Sequence, residues 1–227
     1  MTSALPETRG HELPLTTKVM VLIGIFVAAL VTANLLGTKI TTLFGVSVSV
    51  AIFAYPLTFL VTDIIEEVYG RQIARRFILL GIVTLLLMLL LVLIATALPA
   101  AERYTSNEAY RTIFGQSTRM ILASLVAFLL AQLHDVWAFA FLKVKTHGKA
   151  LWLRNTLSTS ISQLIDTVVF MFIAFYQVSD KFDVAFVISL IIPYWLFKVA
   201  FAIIDTPLVY AGVRWLRGGT TTEVQHG

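Results

Sequence analysis

Six long apolar stretches, separated by short polar segments, organise the chain. A helix that crosses the ~30 Å hydrocarbon core of a bilayer needs about 20 mostly apolar residues. Each stretch reaches that length, and the third, FILLGIVTLLLMLLLVLIATAL, carries no charge. The pattern predicts an all-α, polytopic membrane protein with six transmembrane helices. They are predicted at about 18–37, 46–67, 77–98, 119–142, 157–177 and 184–210.

The second stretch is the weakest of the six. It opens with SVSVAIFAY, and Pro56 lies inside it. A proline within a helix removes one backbone hydrogen bond, which membrane proteins tolerate where neighbours or water satisfy the freed carbonyl. We therefore expect one helix that contains Pro56.

Composition agrees with a membrane location and excludes several kinds of site. Of the 227 residues, 58 % are hydrophobic and 13 % charged, whereas soluble domains have about 25 % charged residues. The mean hydropathy is +0.87. Because there is no cysteine, disulfides, thiol catalysis and thiolate metal sites are excluded. The four histidines are scattered, so neither a metal site nor another cofactor is expected.

Lysine and arginine set the orientation of membrane helices, because cytoplasmic loops carry an excess of them. With the N-terminus inside, eleven of the 17 lie in inner segments and five in outer segments, while Lys198 lies within the sixth stretch. The net charge of +4 is therefore interpreted as a topology signal and not as affinity for nucleic acid. We expect two cytoplasmic tails, 1–17 and 213–227, around a six-helix transporter domain at 18–212. This arrangement allows a three-plus-three inverted repeat.

Eight polar residues interrupt the apolar stretches, and five of them are ionisable. An aspartate or lysine at the centre of a membrane helix costs about 2.5–3.5 kcal/mol, so such residues mark a pathway or a site. Because one lysine cannot neutralise four aspartates, we expect these groups to be paired, hydrated or protonated. The eight residues are Asn34, Asp63, Gln132, Asp135, Gln163, Asp166, Lys198 and Asp205.

Two of the predicted helices carry the same Gln-x-x-Asp pattern. Gln132 and Asp135 are three residues apart, as are Gln163 and Asp166, so each pair shares a helix face. A carboxylate can accept two parallel N–H bonds, and an amide offers a donor beside an acceptor. The pattern favours a site for a flat, nitrogen-rich heterocycle, and it also fits other cationic or polar solutes. In the alternative interpretation, Gln132 and Ser162 only join helices by hydrogen bonds.

Two aromatic residues accompany the lysine of the sixth stretch. Tyr194 and Trp195 lie about one turn before Lys198, too deep for anchors at the membrane surface. A ring at this depth can stack on a flat solute. Lys198 either belongs to the site or is the structural counter-ion of Asp166 or Asp205.

Three blocks of the sequence are distinctive. They are FAYPLTFLVTDIIEEVYGRQIARR at 53–76, QLHDVWAFAFLKVKTHGKALWLRNTLSTSISQLIDTVVFMFIAF at 132–175 and YWLFKVAFAIIDTPLVY at 194–210. Together they resemble the queuosine precursor transporter family, long labelled vitamin uptake transporters. They follow in the family's order, and the likeness covers most of 19–212. The resemblance implies a multi-pass importer in the inner (plasma) membrane. Its implied substrates are precursors of modified tRNA bases, namely 7-cyano-7-deazaguanine, 7-aminomethyl-7-deazaguanine or related 7-deazaguanine bases or nucleosides.

The same resemblance implies which residues bind the substrate. Asp166 with Gln163 would recognise the base, with Asp135 and Gln132 opposite them. The implied substrate-binding residues are Asn34, Asp63, Gln132, Asp135, Gln163, Asp166, Tyr194, Trp195 and Lys198.

We add hypotheses on the roles of single residues. Tyr194 or Trp195 would stack on the base, and Lys198 would hold the carboxylates in register. Asp63 or Asp205 is the candidate to carry a coupling proton. The expected partners are the small-molecule substrate and the lipid bilayer, with no nucleic acid and no cofactor, and a homo-oligomer stays open.

Two other functions fit parts of the sequence. The membrane subunit of an energy-coupling-factor vitamin importer is also small and six-spanned, and Ala29 and Ala33 offer the small-residue spacing with which such subunits dock their partner. An intramembrane hydrolase would use two aspartates, such as Asp135 and Asp166. The lysine has no role in that reaction, so we expect a transporter and not an enzyme.

Overall fold

Helices dominate the computed structural model, which describes residues 16–146, 151–204 and 206–218. The α-helices in this part of the chain are α1 (Thr17–Leu36), α2 (Tyr55–Tyr69), α3 (Arg71–Ala97), α4 (Asn107–Lys145), α5 (Leu151–Phe175), α6 (Val184–Ile204) and α7 (Thr206–Arg217). Between α1 and α2 lie a β-hairpin, β1 (Ile40–Leu43) and β2 (Val46–Ser49), and a 3₁₀ helix (Val50–Phe53).

Three of the described helices are long and apolar enough to cross a bilayer. They are α1, α3 over Gln72–Ala97 and α4 over Asn107–Ala131. Shorter apolar helical segments lie at Ser160–Phe175 and Val184–Lys198. The chain is therefore an all-α polytopic membrane protein, as the sequence predicts, to which a small hairpin is added.

α3 has one apolar face that is exposed and another that is buried in the bundle. Leu79, Val83 and Leu86 recur at helical spacing, and at least half of each side chain is exposed. Phe77 and Leu85, on the other face, are buried in a cluster with residues of α1 and α2. A continuous exposed apolar stripe is typical of a surface that contacts lipid.

The predicted helix at 46–67 is wrong in its first part, where the chain forms the hairpin instead. β1 and β2 pair antiparallel, with Ile40 opposite Ser49. The alternating VSVS has the two-residue period of a strand and not the 3.6-residue period of a helix. Phe44 and Gly45 form the two-residue turn with φ of 50° and 80°. Positive φ at both positions is typical of the type I′ turn, which matches the twist of a hairpin.

α2 begins only at Tyr55, so Pro56 lies in its first turn and not inside a longer helix as predicted. A proline is tolerated there because the first backbone N–H groups of a helix have no intrahelical partner. Ser49 donates from Oγ to the carbonyl of Gly37 at 2.6 Å and accepts from the N–H of Ala51 at 3.2 Å. These bonds tie the hairpin to the end of α1 and cap the 3₁₀ helix that precedes α2.

Close packing where α1 ends predicts that Gly37→Ala destabilises the protein. A β-carbon on Gly37 would lie 2.7 Å from Met120 Cε and 2.9 Å from Ala51 Cβ, and overpacking of this kind costs about 1–3 kcal/mol. Gly24→Ala, inside α1, is the control, because a β-carbon there meets nothing within 4 Å. Thermal unfolding in detergent should show a lower Tm for Gly37→Ala than for Gly24→Ala. Equal Tm values would contradict the close packing.

The predicted sixth helix at 184–210 is helical throughout its described part, as α6 up to Ile204 and as α7 from Thr206, while residue 205 lies outside the described residues. Val213 and Leu216 of α7 are buried in the same cluster as Ile64 of α2. α7 therefore packs against α2.

Candidate functional site

An ion pair joins α5 to α6. Lys198 Nζ donates to Asp166 Oδ2 at 2.7 Å, and the two side chains are only 9 % and 16 % exposed. Of the two counter-ions that the sequence left open for Lys198, Asp166 is thus its partner, while Asp205 lies outside the described residues. Because both charges are shielded, removal of either group would leave the other in a site where an unpaired charge is costly.

Two tyrosine rings complete the surroundings of the lysine. Lys198 Nζ lies 5.5 Å from the ring centre of Tyr55 and 6.0 Å from that of Tyr194. Both distances lie within the range of a cation–π interaction, which stabilises a shielded ammonium group. Lys198 is therefore held by one carboxylate and two rings, which come from α5, α2 and α6.

Asn34 links α1 to α4 beside this ion pair. It is buried, donates from Nδ2 to the carbonyl of Leu30 at 2.9 Å and accepts at Oδ1 from Ser124 Oγ at 2.8 Å. Asn34 and Ser124 line a small cavity together with Asp166 and Lys198. The polar residues of four helices thus meet in one place.

A larger cavity of about 290 Å³ lies among α1 to α5, near the lower end of the roughly 300–1,000 Å³ that is usual for ligand pockets. Three residues predicted for the site share this cavity, namely Asp63 of α2 and both Gln163 and Asp166 of α5. Its polar lining consists of Tyr55, Thr58, Thr62, Asp63, Glu66, Ser124, Ser162, Gln163 and Asp166.

Gln163 brings an unused acceptor to this cavity wall. Its Oε1 is buried and makes no hydrogen bond within the described segments. A buried acceptor without a hydrogen-bond partner costs about 1–3 kcal/mol. A ligand, water or ion that donates a hydrogen bond to it, or coordinates it, would remove this cost. The adjacent Ser162 is engaged differently, since its Oγ lies 2.9 Å from Nδ1 of His134 and links α5 to α4.

The aromatic rings on the wall of the larger cavity are not the two that the sequence proposed for stacking. Phe59 and Phe128 line it, as does Tyr55. Tyr194 instead lines the small cavity around Lys198. Trp195 is on the wall of neither of these two cavities, and its buried Nε1 has no hydrogen-bond partner among the described residues.

Three predicted residues cannot be placed in the site. The side chains of Gln132 and Asp135, both in α4, and the whole of Asp205 lie outside the described residues. The second half of the predicted base clamp and one candidate for the coupling proton therefore stay predictions.

Sequence reasoning did not single out Tyr55, Ser124 or Phe128, although a signal existed. Tyr55 precedes Asp63 by eight residues, and Phe128 and Ser124 precede Asp135 by seven and eleven residues. Separations of seven, eight and eleven return to the same face of a helix. Tracing each polar face over its whole helix would have selected these three residues.

Comparison with known proteins identifies the family of the chain. A family model described as "Putative vitamin uptake transporter" matches residues 49–212. The chain is 34 % identical over 197 residues, 85 % of each chain, to the "Probable queuosine precursor transporter" of Bacillus subtilis (strain 168). It is 27 % identical over 152 residues, 67 % of this chain and 66 % of the relative, to the "Queuosine precursor transporter" of Escherichia coli (strain K12). No solved structure gives a significant match. Because the family model covers well over half of the chain, the protein belongs to the queuosine precursor transporter family.

Proposed function

We propose that this protein imports queuosine precursors across the inner membrane for tRNA modification. The substrates are 7-cyano-7-deazaguanine, 7-aminomethyl-7-deazaguanine or closely related 7-deazaguanines. Family membership supports the substrate class, since the relatives from two bacteria are named for queuosine precursors. The three described helices that are long and apolar enough to cross a bilayer support the membrane location.

One observation carries the proposal at the level of residues. Asp63, Gln163 and Asp166 all line a single cavity of about 290 Å³. The rest of the cavity wall is largely apolar. A pocket with apolar walls and a few convergent polar groups is the usual form of a small-molecule site. The cavity thus has the character that a flat, polar heterocycle requires.

The chemistry of the lining fits the edge of a 7-deazaguanine. Such a base presents ring N–H and exocyclic amine donors side by side, and a carboxylate such as that of Asp166 accepts two parallel bonds. Oε1 of Gln163, which makes no hydrogen bond to the described residues, is a further candidate acceptor. Phe59 and Phe128 line the same cavity, and aromatic rings of this kind stack on bases regardless of their identity. In this proposal these rings take the stacking role that the sequence gave to Tyr194 or Trp195.

The topology proposed for this activity has six membrane spans with both termini in the cytoplasm. The excess of lysine and arginine in the predicted inner segments supports it. The short helix α2 would form its span together with the 3₁₀ helix before it, and the three-plus-three inverted repeat stays a prediction. The ion pair between Asp166 and Lys198 supports transport over hydrolysis, because hydrolysis by a pair of aspartates gives a lysine partner no role.

Uptake of radiolabelled 7-cyano-7-deazaguanine tests the proposal. Cells that lack their own importer should accumulate the label only when they produce this protein, and unlabelled 7-deazaguanines should compete better than guanine or adenine. Liposomes that contain the purified chain alone should also accumulate it. Uptake that required an added ATPase module would favour the energy-coupling-factor alternative, and absence of uptake in both systems would overturn the proposed substrate.

A further inference from the structure

Asp166 lines two cavities. It belongs to the wall of the large cavity of about 290 Å³ and to that of the small cavity around the lysine. Lys198 lines the small cavity but is not on the wall of the large one. The Asp166 side chain, which is 16 % exposed, therefore borders the large cavity while its lysine partner does not.

Lys198 has other partners besides the carboxylate. The rings of Tyr55 and Tyr194 lie 5.5 and 6.0 Å from its Nζ. An ammonium group has three N–H donors, and Asp166 Oδ2 accepts one of them. With two rings in range, an ammonium group that loses its hydrogen bond to Asp166 keeps favourable electrostatic contacts.

We propose that Lys198 is an internal competitor for Asp166, which a substrate must displace in order to bind. In the empty protein the ammonium group occupies the acceptor oxygen that the substrate needs. When the N–H donors of a substrate reach Asp166 from the large cavity, Lys198 gives up this hydrogen bond and stays on Tyr55 and Tyr194. This inference rests on the proposed function and adds the event that admits the substrate.

The exchange makes the site selective for donor-rich ligands. A ligand that presents only acceptors cannot replace an ammonium group, because Asp166 would then face acceptors while buried. A ligand with two adjacent N–H donors replaces one charge-assisted bond by a bidentate pair. The ion pair between Asp166 and Lys198 also joins α5 to α6, so displacement of the lysine removes a link between these helices. Binding can in this way favour a second arrangement of the bundle.

Two substitutions with opposite expected effects test the competition. Titration of the purified full chain in detergent with 7-cyano-7-deazaguanine gives Kd for the wild type, Lys198→Arg and Lys198→Met. The arginine fork grips a carboxylate through two bonds, so Lys198→Arg should raise Kd about tenfold while Tm stays near the wild-type value. Lys198→Met removes the competitor and should lower Kd about tenfold.

A second readout separates competition from a purely structural role. In Lys198→Met the unpaired carboxylate lowers the Tm of the empty protein, and the ligand should restore more of it than in the wild type. Lys181→Met, in an exposed loop position, is the control and should leave both Kd and Tm unchanged.

The possible results decide between the two proposals. If the wild type binds the base but Lys198→Met binds it no more tightly than the wild type does, the competition is wrong and the proposed function stands. If Lys198→Met does not fold, an unchanged Kd for Lys198→Arg alone overturns the competition. If the wild type does not bind the base while the fold is intact, the proposed function itself fails.

Discussion

Replacement of Asp166 by asparagine is expected to lower uptake of 7-cyano-7-deazaguanine by about 100-fold, the loss that follows when one partner of a shielded, charge-assisted hydrogen bond is removed. Asparagine has nearly the same shape, so the cavity keeps its volume. It offers one acceptor and one donor where the base presents two donors, and the mismatched amide leaves a buried N–H without a partner. Initial rates of uptake in cells that lack their own importer measure this effect.

The same substitution also affects stability, and this effect has to be separated from recognition. Asp166→Asn leaves Lys198 without its carboxylate at a position where its side chain is 9 % exposed, and breaking a buried pair in this way costs roughly 3–5 kcal/mol. The double variant Asp166→Asn, Lys198→Met removes the stranded charge. It should recover most of the lost Tm but not the uptake.

A matched control uses another aspartate of the same chain. Asp180 is exposed in the loop between α5 and α6, so Asp180→Asn should transport at the wild-type rate. Near-normal uptake by Asp166→Asn, with protein amounts equal to those of the control, would remove Asp166 from the recognition site. Recovery of uptake in the double variant would instead show that Asp166 acts only through the lysine.

The residues of the ion pair could be selected from the sequence, but their pairing could not. An aspartate and a lysine inside apolar stretches are conspicuous because each costs free energy in the membrane. Asp166 and Lys198 are 32 positions apart on different helices, while Asp205 is seven positions from Lys198 on the same predicted stretch. Spacing along one helix says nothing about Asp166, and a separation of seven residues did not decide for Asp205. The choice depends on how α5 packs against α6, which is a property of the tertiary fold.

The hairpin between α1 and α2 was missed for a different reason. An apolar run such as SVSVAIFAY is compatible with a buried helix or a strand, and hydropathy alone does not distinguish them. The alternation of Val and Ser and the position of Pro56 were the available signals for a strand followed by a helix start. Because the stretch was counted as a membrane span by its length, these local signals were outweighed. The result is that Tyr55, the first residue of α2, was not considered for the site.

The sequence indicates which polar residues belong together better than it indicates the direction in which rings face. It selected Asp63, Gln163 and Asp166 because they are polar within apolar stretches, and one cavity is lined by all three. It chose Tyr194 and Trp195 for stacking because of their depth, yet the rings that line this cavity include Phe59 and Phe128. Which face of α6 meets the cavity depends on its packing against α2 and α5. The spacing of polar and apolar residues along one helix does not determine how that helix packs against others.

Replacement of Gln163 by leucine is expected to lower uptake of the same base by about 30-fold without a loss of stability, because a ligand donor then stays unpaired in the cavity. In the empty protein, Oε1 of Gln163 is buried and makes no hydrogen bond within the described segments. Leucine has a similar volume and removes this unsatisfied acceptor. The Tm of the empty variant should therefore equal or exceed that of the wild type.

This combination of effects distinguishes a binding residue from a structural one. A glutamine that only joined helices would lower Tm and uptake together when replaced. Ile161→Leu is the matched control, since it introduces the same residue on the exposed side of α5, where Ile161 is 40 % exposed. It should change neither quantity. A lower Tm with unchanged uptake in Gln163→Leu would place Gln163 in the packing of the bundle. Lost uptake at an undiminished Tm requires that its amide completes its hydrogen bonding on the substrate.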